Sequence, residues 1–335
     1  MSKLGLCLMV TLLLAMALPA AVQADSSWAD RISLNGFFQT RYEARDFGTD
    51  EFVLRRLYVT AVVKANERTT GVITWARVGP DVQGQSNVDW ANIFVDYAVN
   101  DQWTARIGQA GTWFGLEAWE GSAGRLALER AACVAGAYGN APLGMYYAGP
   151  WDEGIWLRRN PSGSEPMVVL GVCNGQFRDA DATHNKNVSV DLKWNPDWGQ
   201  FGVSWLDGEL SGPPGPPVAD RSAVLGYVRW SPPDSALGFQ AEYMQGELLG
   251  DDIDGWYGQV SYTGLTEGGT AFVKYEEYDP HTGSSGNEYD ALHVGYAQHL
   301  DANNKVTVQY TNGENKAGCP RTADQIAAQW QMGFR

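Results

Sequence analysis

Past its first two dozen residues the chain has no apolar run near the roughly 18 residues a membrane helix requires, which excludes a helical bundle in the bilayer. Cysteine is scarce. Cys133, Cys173 and Cys319 follow the leader, an odd number that cannot close into a disulfide framework, and no C-x-x-C pair offers zinc or redox chemistry. Whether two of the three form one bridge is left open by the spacing. Histidine is scarce too: His184 and His281 fall in loops, His293 and His299 on one predicted strand. No nucleophile stands beside them and no G-x-S-x-G occurs, so the parts of a hydrolase are missing. Without metal spacings or C-x-x-C-H, the chain reads as a non-enzyme with no cofactor or metal of its own.

Positive charge is also in short supply. The leader MSKLGLCLMVTLLLAMALPAAVQA (1–24) has one lysine, an apolar run from Leu4 to Leu18, and Val22 and Ala24 at the positions a signal peptidase reads. Its removal takes Lys3 and no acid, so the formal charge falls from −15 to −16, and a nucleic-acid partner is excluded. Residues 25–335 are the expected exported chain.

What is abundant is alternation. In ISLNGFFQTRYEA (32–44), Ile32, Leu34, Phe38 and Tyr42 share one face while Ser33, Asn35, Gln39, Arg41 and Glu43 share the other. Period two is the signature of a strand whose faces meet different surroundings. VSVDLKW (188–194), KVTVQYT (305–311) and the terminal IAAQWQMGFR (326–335) repeat it. Sixteen such segments begin near residues 31, 51, 69, 86, 102, 150, 166, 186, 199, 219, 236, 254, 268, 287, 303 and 323. Short turns such as NPDWGQ and DANN alternate with longer polar loops such as FRDADATHNKN and DPHTGSSGNEYD. That rhythm is expected of an all-β, transmembrane antiparallel barrel in the outer membrane, with short periplasmic turns and long outer loops. Trp28, Trp90, Trp103, Trp194, Tyr262, Tyr278, Tyr296 and Trp330 stand near segment ends, as an interfacial girdle requires. A sandwich or propeller needs apolar faces turned on each other and, for a propeller, a blade-length repeat that is absent.

The rhythm fails once, over roughly 111–149, between the fifth and sixth segments. This stretch is too rich in Trp113, Phe114, Leu116, Leu126 and Leu128 for disorder, and long loops inside compact domains are usually functional. It is expected to fold inward and narrow the barrel. The polar-face rule places Arg41, Arg56 and Arg106 in the lumen, opposite Glu117, Glu120 and Glu129 of the inserted segment. Opposed charges there produce a transverse field that retards apolar solutes and passes ions and polar molecules. Alternatively, Arg106, Arg130 and Glu129 are ion pairs that brace the segment to the wall.

RIGQAGTWFGLE (106–117), LALERA (126–131), VVLGVCNGQ (168–176) and the paired arginines of FVLRRLYV (52–59) resemble the porin O/P family of outer-membrane porins, named for its phosphate-selective members. The resemblance implies a 16-stranded barrel, usually a homotrimer, constricted by its third outer loop and passing small ions and polar solutes. The chain departs from the family in Trp113, where members often have proline, and in Arg335 beyond the terminal aromatic. Six lysines in the exported chain are too few for phosphate selectivity to be carried over. A sheath holding a partner such as a cytochrome across the membrane is the alternative, and it calls for a lumen without an inserted loop.

Overall fold

The computed structural model describes residues 29–45, 50–78, 87–135, 151–161, 163–175, 185–211, 218–248, 250–283, 288–315 and 324–335. The leader, Cys319, His184, Trp28 and residues 136–149 of the inserted segment lie outside them.

Sixteen antiparallel strands close on themselves. They are β1 (Ile32–Arg45), β2 (Glu51–Lys64), β3 (Thr69–Val78), β4 (Asn87–Ala98), β5 (Trp103–Ala110), β6 (Asp152–Arg159), β7 (Met167–Cys173) and β8 (Asn187–Trp194). The second half comprises β9 (Gly199–Ser211), β10 (Val218–Trp230), β11 (Leu237–Leu248), β12 (Asp251–Thr263), β13 (Gly269–Asp279), β14 (Tyr289–His299), β15 (Asn304–Asn315) and β16 (Gln325–Phe334). Each begins within three residues of the start read from alternation. Each strand pairs with its sequence neighbours, and β16 returns to β1 in register from Gly36 opposite Phe334 to Arg45 opposite Gln325. Closure leaves no sheet edge, the condition for a sheet in lipid.

The alternation sorts the two environments. On β1, Gln39, Arg41 and Glu43 are buried toward the lumen while Leu34 and Thr40 are exposed. On β16, Gln329 and Gln331 are buried and Ile326 and Trp330 face outward. At the seam a side chain on Gly36 would collide with the ring of Phe334, so the glycine makes room for the C-terminal aromatic. Trp90, Tyr262 and Trp330 are outward, as girdle residues should be, but Tyr278 is not. It shares the inner face of β13 with Lys274 and Glu276 and is buried. The inner wall needs it there to pack the inserted segment, which overrides the girdle expectation.

Two β-bulges aim side chains. Between β1 and β2 the register runs Gln39 to Arg56 and then Thr40 to Leu54, so Arg55 is the extra residue. Strict period two sends neighbouring residues to opposite faces; the bulge lets both Arg55 and Arg56 point inward, where each is buried. A second bulge between β3 and β4 falls beside Ala91.

The inner face is not polar throughout. Leu206 of β9, Leu225 of β10, Met244 of β11 and Ile253 of β12 form, with Tyr257 and Tyr278, an apolar patch inside the lumen. Phe114, Leu116, Ala131, Ala132, Cys133 and Val134 of the inserted segment fill it. Burying each of the larger side chains contributes about 1.5–3 kcal/mol. The segment's short helix α1 (Ala132–Ala135) lies against β12 and β13. Cys133 and Cys173 are free and buried.

Candidate functional site, the inserted loop and its anchors

The expected site residues all surround the inserted loop, and the structure brings them together in several groups. The first lies against β1 and β2. Glu129 accepts from Arg41 Nη1 at 2.8 Å, Arg55 Nε at 2.9 Å and Arg56 Nη2 at 2.7 Å. These guanidiniums are themselves positioned. Arg41 donates to Glu43 and twice to Gln329, and Arg56 donates to Gln39. Burial acts against an ionised Glu129, but Arg55, Arg56 and Arg41 outweigh it and hold the carboxyl well below the usual range. Arg55 was absent from the sequence expectation because a strand without a bulge hides it on the other face.

The second group lies against β11–β14. Glu117 reaches Lys274 Nζ at 2.7 Å and accepts the N–H of Ala131. Glu242 accepts the N–H groups of Leu116 (2.8 Å) and Glu117 (2.5 Å) and a bond from the Tyr257 hydroxyl. Glu276 accepts the N–H of Ala132 and lies 3.2 Å from His293 Nε2. Barrel-wall carboxylates therefore satisfy backbone donors that the turn of the loop leaves unpaired. A separate pair joins Glu120 to Arg229 on β10 at 2.8 Å.

Arg106 and Arg130 have other roles than facing the loop carboxylates. Arg106 makes a two-bonded pair with Asp96 on the adjacent strand and stacks on Phe94 and Trp113. Arg130, within the loop, donates to the carbonyls of Glu117, Ala118 and Glu120 and ties the loop to itself. Besides Arg55, sequence reasoning missed Arg125, Arg229 and Lys305. Lys305 donates to the carbonyls of Ala123 and Arg125, while the Arg125 guanidinium is buried with no hydrogen-bond partner among the described residues. Burial, then Arg130 and Arg56 nearby, push Arg125 down to about 9, so it remains cationic at neutral pH.

Gly115 is the hinge of the Phe-Gly-Leu-Glu turn. Its φ of +75° is in the left-handed region, and a Cβ would stand 2.5 Å from a Glu242 oxygen. Gly115→Ala is expected to cost about 1–3 kcal/mol. Thermal unfolding of the refolded barrel should show a lowered Tm; an unchanged Tm would mean that the turn is not held in this conformation.

Among the described residues no group of three or more His, Cys, Asp or Glu is arranged to hold a metal ion. The loop leaves a cavity of about 410 Å³ against β1–β5 and one of about 210 Å³ against β10–β12, with Glu120 bordering both.

Residues 44–209 match the family model described as phosphate-selective porin O and P. Among solved structures, the barrel resembles OmpF of Salmonella typhi in complex with daunomycin, at 14% identity and TM-score 0.65 over 90% of this chain and 97% of that one. It resembles the outer membrane channel DcaP of Acinetobacter baumannii at 11% identity and TM-score 0.63, covering 90% and 97%. It also resembles the trimer form of in-vitro folded OmpT of Vibrio cholerae at 9% identity and TM-score 0.60, covering 90% and 99%. At these identities the likeness is one of fold. No curated protein matches the sequence.

Proposed function

Starting from an outer-membrane porin of the O and P type, we propose that the loop 111–149 is a braced constriction that gives passive diffusion a modest preference for small anions. The protein is a channel for passive diffusion, and its barrel is in the bacterial outer membrane. The observation that carries the finer reading is the charge balance at the loop. Glu117, Glu120 and Glu129 are each taken up by a wall cation, whereas the Arg125 guanidinium lacks a hydrogen-bonding partner among the described residues. The fixed field at the narrowest place is then positive, although the chain as a whole is acidic. Phosphate selectivity is not part of this reading, because the exported chain has six lysines. Neither is catalysis, since the sequence has no G-x-S-x-G and no nucleophile marked beside a histidine. A sheath around a partner protein fits poorly, since the loop occupies the lumen such a partner would thread.

The leader 1–24 serves export. A homotrimer is supported by the wall itself. Strands β5–β8 have only 7 or 8 residues, short of the roughly 9–11 of a lipid-facing strand. Their outward side chains are aliphatic, with Ile107, Ile155, Leu170, Val172 and Val188 exposed, and suit contact with neighbouring copies.

Reconstitution in a planar bilayer under a KCl gradient tests this reading. Conductance in steps of three with a reversal potential of the sign for chloride is expected. A reversal potential of the cation sign would overturn the anion preference, and a folded barrel without conductance would overturn the open channel.

A further inference from the structure

The larger lumenal cavity differs in kind from the smaller one. Its volume of about 410 Å³ is in the range of small-molecule sites. Six aromatic rings border it: Phe37, Tyr58, Phe94, Phe114, Trp119 and Trp151. They come from both the wall and the inserted region, and several are pre-stacked. Phe37 and Tyr58 lie parallel with centroids 5.0 Å apart, Tyr58 meets Trp151 at 6.4 Å, and Trp119 lies over Trp113 at 4.2 Å. Phe94 and Phe114 are buried, while Trp119 keeps 38% of its surface exposed beside the cavity.

The polar groups among these rings are amides and hydroxyls: Asn35, Asn92, Thr60 and Thr74. The charged groups at the border are already engaged. Arg106 is bonded to Asp96, Arg130 to three loop carbonyls and Glu120 to Arg229. A solute entering this space meets apolar ring faces and neutral hydrogen-bonding groups, while the charged groups at the border are already hydrogen-bonded, Arg106 to a carboxylate, Glu120 to a guanidinium and Arg130 to neutral carbonyls. The cations at this border are already hydrogen-bonded within the protein, and although the Thr60 and Thr74 hydroxyls pair with each other at 2.9 Å, a plain hydrocarbon ring would offer nothing to the Asn35 and Asn92 amides. The complementary molecule is an uncharged ring with an apolar face and a hydroxyl-bearing edge. We propose that this cavity is a binding subsite for neutral sugars, whose pyranose rings stack on the Trp119 and Tyr58 faces on their way through the pore.

The proposal rests on the channel reading, and the experiment separates the two. Maltotriose is titrated against single channels in KCl, and block of the current is read as a half-blocking concentration. Concentration-dependent block in the millimolar range is expected. Trp119→Ala should raise the half-blocking concentration about tenfold, the loss of one stacked ring, and Trp119→Phe should largely restore it. Phe52→Ala, on the outside of the barrel, should change nothing. Intact KCl conductance with no effect of maltotriose would overturn the sugar site and leave the channel standing, as would block that Trp119→Ala does not alter. Benzoate blocking as strongly as the sugar would show that charge-neutral recognition is wrong. Should a folded barrel not conduct at all, the channel reading fails. Quenching of tryptophan fluorescence by maltotriose in detergent then decides the subsite, its absence overturning the proposal.

Discussion

Replacing Glu129 with glutamine is expected to loosen the inserted loop, raise single-channel conductance and move the reversal potential further toward anions. Three guanidiniums converge on this carboxylate, and their side chains are 3–6% exposed, so they have little water to fall back on. Removing one partner of a buried pair costs about 3–5 kcal/mol; the lower end applies because Glu129 itself retains 22% exposure. About 3 kcal/mol moves the balance between braced and released loop by roughly 150-fold. The barrel should still fold, since β1 and β2 keep their pairing and Arg41 and Arg56 keep their bonds to Gln329 and Gln39. Identical conductance and selectivity in the variant would mean that the arginines do not hold the loop.

Acid gives the same prediction a second arm. The Glu129 carboxyl is depressed below its ordinary 4.5, so the brace is fully present above that value and is lost only as pH falls through the lower one. The difference between wild type and Glu129→Gln should therefore persist from neutral pH to pH 4.5 and vanish only in stronger acid. Loss of the difference near pH 5 would place the carboxylate outside the arginine group.

The strands were legible because lipid outside and water inside force alternation on nearly every segment, and the starts could be placed within three residues. The inserted loop was legible as the one apolar stretch without that period. What could not be read was where the inner wall stops being polar. In β10, Ala223 and Leu225 point inward and Val224 and Val228 outward, so both faces are apolar and period two has no contrast to report. That patch is the seat of the loop, a contact made from residues nearly a hundred positions earlier. Arg55 was hidden for a different reason, since no local pattern announces a bulge. A signal did exist. An arginine turned to lipid at mid-membrane costs about 2–4 kcal/mol, so two adjacent arginines in one strand already require that both be turned inward. Glu117, Glu120 and Glu129 were legible as a set, but their partners Lys274, Arg229 and Arg55 lie on strands whose angular position only barrel closure defines.

Lys274→Ala is expected to have the largest effect on stability. The ammonium is fully buried, 2.7 Å from Glu117 and 3.9 Å from Glu276, with the Tyr257 ring 4.5 Å away. Glu242 stands on the other side of the same turn, holding the N–H groups of Leu116 and Glu117. Without the lysine, Glu117, Glu242 and Glu276 crowd one end of the loop and lose the cation that lies against two of them. The expected cost is about 3–5 kcal/mol, which should lower the temperature at which the barrel loses its folded electrophoretic mobility. Pairing Lys274→Met with Glu117→Gln removes the cation and one anion together. The double variant should recover most of the loss, because an apolar and a neutral side chain of similar volume need no compensating charge in this seat. Additive losses in the double variant would show that Lys274 acts through packing against Tyr257 and not through Glu117. Recovery would instead mean that the pair is dispensable for folding as long as it is lost whole. The ion pair would then serve to set where the loop crosses the pore, and conductance rather than stability would carry its remaining effect.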